Sequence, residues 1–540
     1  MTTAPPLADR ARPLHEDPSI HARRWFLLAM MCLSLVLVVM SVSGLVTAIP
    51  TMQEALDASA SQVQWILDAY AIVFAGLLLT AGALGDRFGR KRALLAGLVV
   101  FGLGSLFAGL ASSAAQVIAG RAVMGIGAAF VMPATLSIIT TIFPPEERAR
   151  AIAVWAGFAG AGGAIGPIVS GALLERFWWG SAVLVNLPLV AATFVAIWTF
   201  APESRDEEHT PLDPVGALLS LVGLSALVFA IIQGGEDGWT TTSVVAATAV
   251  ALVTLSTFVY WERRSAHPML PLTFFRDRRF TQGSIVVTVA FFVMFGFFFL
   301  VTQFLQFGRD YSPLEAGLAL LPFPIVFIVV SPRSAALAAR FGSRHVMAAG
   351  LAIIAGGFAV LSVVTPTTPY FVIAAAFAVL GAGMSLTAAP ATGEIMSAVP
   401  LSKAGVGSAV NDTTRELGGA LGIALLGSIA NTAYRASVHL SGIGLPPGLR
   451  AQGEDSIGAA SAIAQSVPGG GSVVKARAAT AFADAFNVAS LVSMGIVLVL
   501  AVALVAVARR RDTVPAAELD RDMTELDLAL VPVGAARGQE

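Results

Sequence analysis

Fourteen separate runs of apolar residues constrain this chain more than any other feature of its sequence. A helix needs about 20 mostly apolar residues to cross the hydrocarbon core of a bilayer. The runs cover residues 25–50, 63–84, 92–111, 116–142, 150–174, 180–201, 212–233, 242–262, 281–304, 314–337, 343–364, 368–391, 405–431 and 486–508. The sequence therefore predicts an all-α polytopic membrane protein with 14 transmembrane helices.

The composition agrees with this prediction and excludes other classes. Hydrophobic residues make up 56% of the 540 positions and charged residues only 12%, whereas soluble domains are about one quarter charged. A soluble chain of this length would still need a polar exterior. A soluble enzyme, a nucleic-acid-binding protein and a disordered protein are therefore excluded. The first run is too long for a signal-peptide core and is followed by similar runs, so we expect it to be a membrane helix.

Basic residues indicate the orientation of the chain, because cytoplasmic loops of membrane proteins carry an excess of Lys and Arg. If both termini are cytoplasmic, 25 of the 33 basic residues lie on the cytoplasmic side and six on the opposite side. Arg121 and Arg415 fall within predicted spans. We expect cytoplasmic tails at 1–24 and 509–540, and a long extracytoplasmic loop at 432–485. At the end of that loop, residues 473–486 either lie on the outer membrane surface or form plain loop.

The loop after the second span is echoed later in the chain. Arg-Phe-Gly, with further basic residues among the next three positions, occurs at 87–89 and again at 340–342. Transporters are commonly built from such internal repeats. We expect a six-helix bundle at 25–201, a second six-helix bundle at 281–508, and two additional helices at 212–262 between them.

Three motifs give the chain a family resemblance. Gly-Ala-Leu-Gly-Asp-Arg-Phe-Gly-Arg-Lys at 82–91 resembles the loop motif of the major facilitator superfamily, and Gly-x-x-x-Gly-Pro-x-x-Ser-Gly at 162–171 resembles its antiporter motif. The segment that starts at Arg121 is similar to the superfamily motif of the fourth helix, with Met124 where glutamine is more usual. Residues 65–70 and an acidic pair in the thirteenth span resemble the fourteen-helix drug:proton antiporters, above all the quaternary-ammonium and multidrug efflux pumps.

This resemblance implies the major facilitator fold, with two six-helix bundles, two inserted helices and both termini cytoplasmic. It also implies which residues form the conformational loop motif and which form the antiporter motif. The loop-motif residues are Gly82, Gly85, Asp86, Arg87, Gly89, Arg90 and Lys91, and the antiporter-motif residues are Gly162, Gly166, Pro167 and Gly171.

The chemistry of the loop motif supports a role beyond topology. Asp86 can pair with an arginine or cap the N-terminus of a neighbouring helix, and either contact would make a latch on the cytoplasmic side. The alternative is that the basic residues of the loop only set the orientation of the chain. In the antiporter motif, small residues at four-residue spacing permit close helix packing. A dry hinge that resists proton leakage is the further role that the resemblance implies.

Charges inside spans are the sharpest functional signal, because each costs about 2.5–3.5 kcal/mol at the centre of a membrane helix. Asp412 and Glu416 are four residues apart and share one helix face. Two carboxylates this close in a low dielectric do not both ionise easily, which suits a proton carrier. The alternative for this pair is a structural salt bridge with Arg415. Asp68, five residues into the second span, is either a proton carrier or an interfacial residue.

Two further observations concern the substrate and Arg121. The quaternary-ammonium pumps carry aspartates in the first and tenth helices, where this chain has Ser41 and Phe327. Fewer fixed anions weaken the capture of dications, so we expect monovalent lipophilic cations or weakly charged amphiphiles. Phenylalanines between 291 and 307 either bind cations through their ring faces or pack in the core, and packing is the commoner use. Arg121 is functional by resemblance, or else it only fixes its helix.

We therefore expect a proton-coupled antiporter of the bacterial cytoplasmic membrane that exports hydrophobic, monocationic drugs, dyes or antiseptics. Its partners would be lipophilic cationic or amphiphilic small molecules, protons and the lipid bilayer, with no nucleic acid, and the protein would be a monomer. No Walker-type phosphate loop occurs, so the proton gradient would drive transport without a cofactor, and we expect a transporter rather than an enzyme. Two alternatives stay open, an exporter of an endogenous metabolite, antibiotic, siderophore or lipid, and a non-transporting sensor, which has no need of intramembrane carboxylates.

Overall fold

A computed structural model describes residues 14–206, 211–236, 238–466 and 471–512. All regular secondary structure in these ranges is helical. Fourteen of the helical segments are long and apolar enough to cross a membrane, which confirms the predicted fold class. Most of the predicted tails, residues 1–13 and 513–540, lie outside the described residues.

The spanning segments correspond one to one with the predicted runs. They are α1 Pro18–Leu56, α2 Ala60–Phe88, α3 Arg90–Gly109, α4 Ala114–Ile142, α5 Pro145–Leu174, α6 Ser181–Leu184 with α7 Asn186–Phe200, α8 Pro214–Glu236, α9 Thr242–Glu262, α10 Arg278–Gln303, α11 Pro313–Ala319 with α12 Pro322–Phe341, α13 Ser343–Leu361, α14 Tyr370–Ser397, α15 Ala404–Ser437 and α18 Gly471–Asp512. Two short helices, α16 Pro447–Asp455 and α17 Ile457–Ser466, lie between α15 and α18.

Helix α2 begins earlier than its apolar run indicated. Ser59 and Gln62 form a capping box, in which the Gln62 backbone N–H donates to the Ser59 hydroxyl and the Gln62 side chain accepts from the Ser59 backbone N–H. Such a box satisfies backbone donors that have no partner within the helix. Because the helix starts at Ala60, Asp68 lies about one turn deeper in the helix than the sequence indicated.

The two Arg-Phe-Gly loops have the same backbone form. Gly89 alone connects α2 to α3 with φ of 115°, and Gly342 alone connects α12 to α13 with φ of 82°. Residues with a side chain rarely adopt such positive φ values, so glycine permits the abrupt turn between the two helices. The sequence echo therefore corresponds to the same tight helix connection at two places in the chain.

Buried apolar side chains form two clusters. One cluster comes almost entirely from α1 to α7, and the other mainly from α10 to α18. Helices α8 and α9 pack on each other, and α8 also packs on α2 and α15. This packing is the one expected for two bundles with an inserted pair of helices. The boundaries 25–201, 212–262 and 281–508 remain a proposal.

The segment 432–485 differs from its prediction as a long loop. Helix α15 continues to Ser437, and α18 begins at Gly471 and runs for 42 residues. At 1.5 Å per residue, α18 is about 63 Å long, far more than the bilayer core. Ile457, Val474 and Phe482 are buried in the second cluster, and the Tyr434 hydroxyl donates to the Gly453 carbonyl at 2.9 Å. This packing holds much of the outer segment as helix, so residues 473–486 form neither a surface segment nor a plain loop.

Helices α1 and α5 approach each other closely enough for backbone contact. A Cβ atom on Gly166 would lie 2.7 Å from the Gly44 nitrogen and 2.8 Å from the Met40 carbonyl oxygen. One turn away, the Ser43 hydroxyl donates to the Gly162 carbonyl at 3.2 Å. Small residues that let membrane helices touch in this way supply much of their packing energy.

Replacing Gly166 with alanine should therefore destabilise the protein. Alanine favours a helix over glycine by about 1 kcal/mol, but at this position its methyl group meets backbone atoms that cannot move independently. We expect Gly166→Ala to lower the midpoint of thermal aggregation of the purified protein. Gly163→Ala is a matched control on the same helix, because no atom of another described helix lies within 4 Å of its added Cβ. Equal midpoints for the two variants would contradict the close approach of α1 and α5.

Candidate functional site

Helix α15, which carries the intramembrane charges, packs against α10 and α14 of the second half and against α2 and α4 of the first. Asp412 is fully buried, and one of its oxygens, Oδ1, is 3.6 Å from Nη1 of Arg415. The Asn411 amide donates to the same oxygen at 3.3 Å and itself accepts from the Thr392 hydroxyl of α14 at 3.0 Å. The Arg415 guanidinium lies over the ring of Phe291 on α10.

The second oxygen of Asp412, Oδ2, is buried and has no hydrogen-bond partner among the described residues. A buried carboxylate oxygen without a partner is costly while it carries charge. The arrangement can therefore bind a proton or a cation at Asp412.

Glu416 lies one turn further along α15 and is half-buried. It is within electrostatic reach of Arg415 and of the Tyr70 hydroxyl on α2. The structure thus brings Asp412, Arg415 and Glu416 together on one helix and places Tyr70 from the opposite half beside them. That Tyr70 lies near Glu416 can be recognised only from the tertiary structure.

Arg121 on α4 is buried against α2. Its Nε donates to the Ile66 carbonyl at 3.1 Å, and its guanidinium carbon is 4.3 Å from the centre of the Tyr70 ring. Its Nη1 is buried without a hydrogen-bond partner among the described residues. Arg121 therefore faces the same tyrosine that Glu416 reaches electrostatically. Asp68 is half-buried on α2, two residues before Tyr70, and its role as a proton carrier stays a prediction.

Neither of the two positions at which the resemblance to the quaternary-ammonium pumps implies an aspartate carries a carboxylate. Ser41 is buried, and its hydroxyl donates to the Val38 carbonyl at 2.8 Å. The buried Phe327 ring fills the space beside Gly160, where an added Cβ would collide with the ring. The ring of Phe327 therefore helps to pack α12 against α5.

Several phenylalanines of the aromatic run pack on other aromatic rings. The ring centre of Phe297 is 5.4 Å from that of Phe377, and the ring centre of Phe298 is 5.1 Å from that of Phe323. Phe291 differs because a cation lies over its ring. Packing therefore accounts for several rings of the run, and binding of a substrate cation to the ring faces stays a prediction.

The cytoplasmic ends of the two halves meet at Asp86. Its carboxylate accepts from the backbone N–H groups of Gly405 at 2.8 Å and Val406 at 3.0 Å, in the first turn of α15. Arg90 donates twice to the same carboxylate, at 2.7 and 2.9 Å, and also to the Leu401 carbonyl at 2.6 Å. Asp86 and Arg90 are 3% and 2% exposed. Asp86 thus makes both contacts considered from the sequence, an arginine pair and a helix cap, and the cap joins the two halves.

Glycine permits the helices to meet at this junction. A Cβ on Gly82 would lie 2.5 Å from the Gly405 carbonyl oxygen, so α2 and α15 touch backbone to backbone there. A Cβ on Gly85 would lie 3.5 Å from Ala93, an ordinary contact. We call the contact of Gly82, Asp86 and Arg90 with residues 401–406 the cytoplasmic junction.

Residues 203–206, which follow α7, form a strap of hydrogen bonds across the loop motif. The sequence did not predict this contact. The backbone N–H of Arg90 donates to Ser204 at 2.9 Å, and that of Asp206 donates to the Asp86 carbonyl at 2.7 Å. Glu203 accepts from the backbone N–H of Lys91 at 3.1 Å. Lys91 Nζ donates to the Trp198 carbonyl at 2.8 Å, and Arg87 is half-buried at the wall of a nearby cavity. The one sequence feature that could have indicated the contact of residues 203–206 with the loop motif is the mixture of charged residues directly after the sixth span.

That cavity has a volume of about 280 Å³ and lies between α2, α8 and α15, with Asp206, Asp213 and Lys403 in its wall. Asp213 accepts from the Gly216 N–H at 2.8 Å and from the Trp261 indole N–H. This carboxylate therefore ties the cytoplasmic ends of the two inserted helices together beside the junction.

The antiporter motif gives α5 two contact faces. Gly162 and Gly166 face α1, as described above, whereas Gly171 and Pro167 face α11 near the outer end of the helix. A Cβ on Gly171 would lie 3.8 Å from Leu314, and a Cβ on Gly317 would lie 3.6 Å from the Pro167 ring. Helix α5 therefore contacts both α1 of its own half and α11 of the other half.

The sequence-family model described as the Major Facilitator Superfamily matches residues 31–423 of this chain. The chain belongs to this superfamily. It is 36% identical over 91% of its length, and 97% of the relative's, to the multidrug efflux pump LfrA of Mycolicibacterium smegmatis. It is 33% identical, over 83% and 90% of the two chains, to the methyl viologen resistance protein SmvA of Salmonella typhimurium.

A third relative, the methylenomycin A resistance protein of Streptomyces coelicolor, is 34% identical over 73% of this chain and 84% of its own. Among solved structures, the human organic anion transporter MFSD10 shares the fold, with a TM-score of 0.57 and 13% identity over 87% of this chain and 98% of its own. Family membership and the bacterial efflux and resistance relatives together identify this chain as a multi-pass transporter of the bacterial cytoplasmic membrane.

Asp86→Asn should loosen the cytoplasmic junction of this superfamily member. Removing one partner of a buried ion pair costs about 3–5 kcal/mol, because the remaining charge is left uncompensated. We expect a cysteine at the buried position Ser408, in a Cys32→Ser background, to react several-fold faster with a cytoplasmic maleimide when Asp86 is changed.

Arg92→Gln is the control. The Arg92 side chain is 74% exposed, and its Nε lies 3.6 Å from Oε2 of Glu203. Exposed ion pairs of this kind contribute little to stability. We expect its labelling rate to match that of the parent protein. An unchanged rate in a folded Asp86→Asn protein would show that the junction does not close the cytoplasmic side.

Proposed function

We propose that this transporter exports lipophilic monocationic drugs, dyes and antiseptics in exchange for protons, by alternating access. Asp68, Asp412 and Glu416 are the proposed proton and cation carboxylates, with Arg121 and Arg415 as their cationic neighbours. The proton gradient supplies the energy without a cofactor, and one chain is the proposed working unit. The observation that carries the proposal is the fully buried Asp412 with one oxygen unpartnered among the described residues.

Exchange follows from competition at this carboxylate. A carboxylate in a low dielectric is stabilised by a proton or by a nearby cation, and it does not need both. A cationic substrate that approaches from the cytoplasm would favour release of the proton. A proton that arrives from the acidic exterior would favour release of the substrate. Mutually exclusive binding of this kind gives antiport when it is combined with alternating access.

Alternating access needs a contact that forms in one state and breaks in the other. The cytoplasmic junction is such a contact in our proposal, because Asp86 bonds the start of α15 across the two halves. Breaking the cap would bias the protein towards the state that is open to the cytoplasm. The glycine-rich faces of α5 are the proposed dry hinge on which the halves move.

The preference for monocations rests on the charge count around the site. Ser41 and Phe327 supply no anion where the quaternary-ammonium pumps have aspartates, and Arg415 offsets one of the carboxylates on α15. A dication such as methyl viologen would therefore bind more weakly than ethidium, although the relative SmvA is named for methyl viologen resistance.

An exporter of an endogenous metabolite or antibiotic is the second candidate. The similarity to the methylenomycin A resistance protein favours it, since that relative is named for resistance to an antibiotic rather than to a dye. The same carboxylates and the same junction would serve such a cargo.

Ethidium transport in inverted membrane vesicles tests the proposal. With an acidic vesicle interior, we expect the wild-type protein to accumulate ethidium, and we expect Asp412→Asn and Glu416→Gln to reduce the rate at least ten-fold (about 1.4 kcal/mol) while ethidium still binds. Asp68→Asn should also reduce the rate.

Asp455→Asn is the matched control, because Asp455 is 62% exposed and pairs with Arg435 in the outer segment. Its transport rate should equal that of the wild type. If the wild type moves neither ethidium nor another monocation, the drug proposal is wrong and the metabolite exporter becomes the leading candidate. Normal transport by Asp412→Asn would remove the carboxylate from the mechanism.

A further inference from the structure

Arg415 is held in an unusual way for a buried arginine. Its guanidinium carbon is 4.5 Å from the ring centre of Phe291 on α10 and 5.4 Å from that of Trp155 on α5. Its nearest carboxylate contact is the 3.6 Å separation from Asp412, which is too long for a hydrogen bond. Two ring faces and a nearby negative charge therefore hold this cation.

Arg90 shows how a structural arginine of the same protein is held. It donates to the Asp86 carboxylate at 2.7 and 2.9 Å and to the Leu401 carbonyl at 2.6 Å. Forked hydrogen bonds of this type are the usual reason for using arginine in a buried ion pair. Arg415 instead occupies its site through its delocalised charge, by the contacts that an organic cation without strong N–H donors would make.

The walls of this site are held independently of Arg415. Trp155 is fully buried, and its indole N–H donates to the Thr135 hydroxyl of α4 at 3.2 Å. Phe291 is 7% exposed, and Asn411 donates to Asp412. The two rings and the carboxylate therefore have contacts that would keep them in place if the guanidinium moved away.

We infer that Arg415 is a tethered occupant of a subsite for delocalised organic cations, formed by Trp155, Phe291 and Asp412, and that it leaves this subsite when such a cation binds. The cargo named here rests on the proposed function. Suitable ligands are guanidinium, amidinium and heteroaromatic cations, whose charge spreads over a planar group. Compact, strongly hydrated ammonium ions fit the ring faces less well.

The displaced guanidinium has a place to go. Glu416 follows Arg415 directly in the chain and is already within its electrostatic reach. A shift of Arg415 from Asp412 towards Glu416 keeps both positive charges near a carboxylate while the substrate occupies the ring faces. Because a tethered group competes at an effective concentration of millimolar or more, Arg415 would exclude weakly binding cations and admit only strong ones.

Binding to the purified full-length protein tests this inference, with Arg415→Met as the principal variant. We expect Arg415→Met to bind ethidium roughly 2- to 30-fold more tightly than the wild type, the factor that corresponds to one cation–π contact. We also expect millimolar methylguanidinium to stabilise Arg415→Met against heat and to displace ethidium from it, and to do neither to the wild type.

Arg264→Met is the matched control, because the Arg264 guanidinium lies 4.6 Å from the Tyr260 ring centre at the protein surface. Its ethidium affinity and its lack of response to methylguanidinium should equal those of the wild type. Arg415→Lys provides a second variant that keeps the charge. It should bind ethidium more tightly than the wild type, since a hydrated ammonium leaves the ring faces vacant.

Wild-type or weaker ethidium affinity in folded Arg415→Met and Arg415→Lys would overturn the inference, as would the absence of any methylguanidinium effect on Arg415→Met. These outcomes are separate from a failure of the proposed function. If methylguanidinium stabilises Arg415→Met but the wild type transports no lipophilic cation, the subsite stands and the drug proposal fails. If the wild type transports ethidium but methylguanidinium has no effect on Arg415→Met, the transport proposal stands and the tethered occupant is wrong.

Discussion

Helix α15 begins with backbone N–H groups that have no partner within the helix, and a carboxylate from the opposite half binds two of them. The first N–H groups of any helix need outside partners, and in this buried position water is a poor substitute. Asp86 supplies the oxygens for Gly405 and Val406, and Arg90 compensates the charge that Asp86 brings. A buried ion pair of the first half thus caps a helix of the second half, and in our proposal this contact closes the cytoplasmic side.

The same helix carries the charges near the middle of the membrane. Asp412 lies seven residues after Gly405, about 10 Å along the axis at 1.5 Å per residue. A helix transmits a displacement along its length, so a movement of α15 that breaks the cap also moves Asp412 and Arg415 relative to Trp155 on α5. In our proposal this rigid link couples proton and substrate occupancy to opening of the cytoplasmic side.

Much of this organisation could be predicted from the sequence, because the bilayer imposes simple rules. The length of the apolar runs predicts the spans, and the distribution of arginines indicates their orientation. An aspartate among basic residues at 86 suggested either a pair or a cap, and both contacts exist. The position of the charges on one face of α15 followed from their four-residue spacing.

Contacts between distant segments could not be predicted in the same way. The strap formed by Glu203 and Asp206, and the bond from Trp261 to Asp213, depend on which loops meet in space. Phe291 could not be distinguished from its packed neighbours, because a ring that faces a cation and a ring that faces a core have the same sequence signature. The helical start of α18 was missed because its Ala-rich composition suits a loop, a surface helix or an extended span, and burial against α17 decides among them.

Proton release on substrate binding tests the central claim most directly. Ethidium would be added to the purified protein in weakly buffered detergent solution between pH 6 and 8, and the change in pH would be recorded for the wild type, Asp412→Asn and Glu416→Gln. Exchange at a shared carboxylate predicts that ethidium releases protons from the wild type, and that the release is lost in the variant whose carboxyl carries the proton, although that variant still binds ethidium. Saturable ethidium binding to the wild type without proton release at any pH in this range would contradict the account.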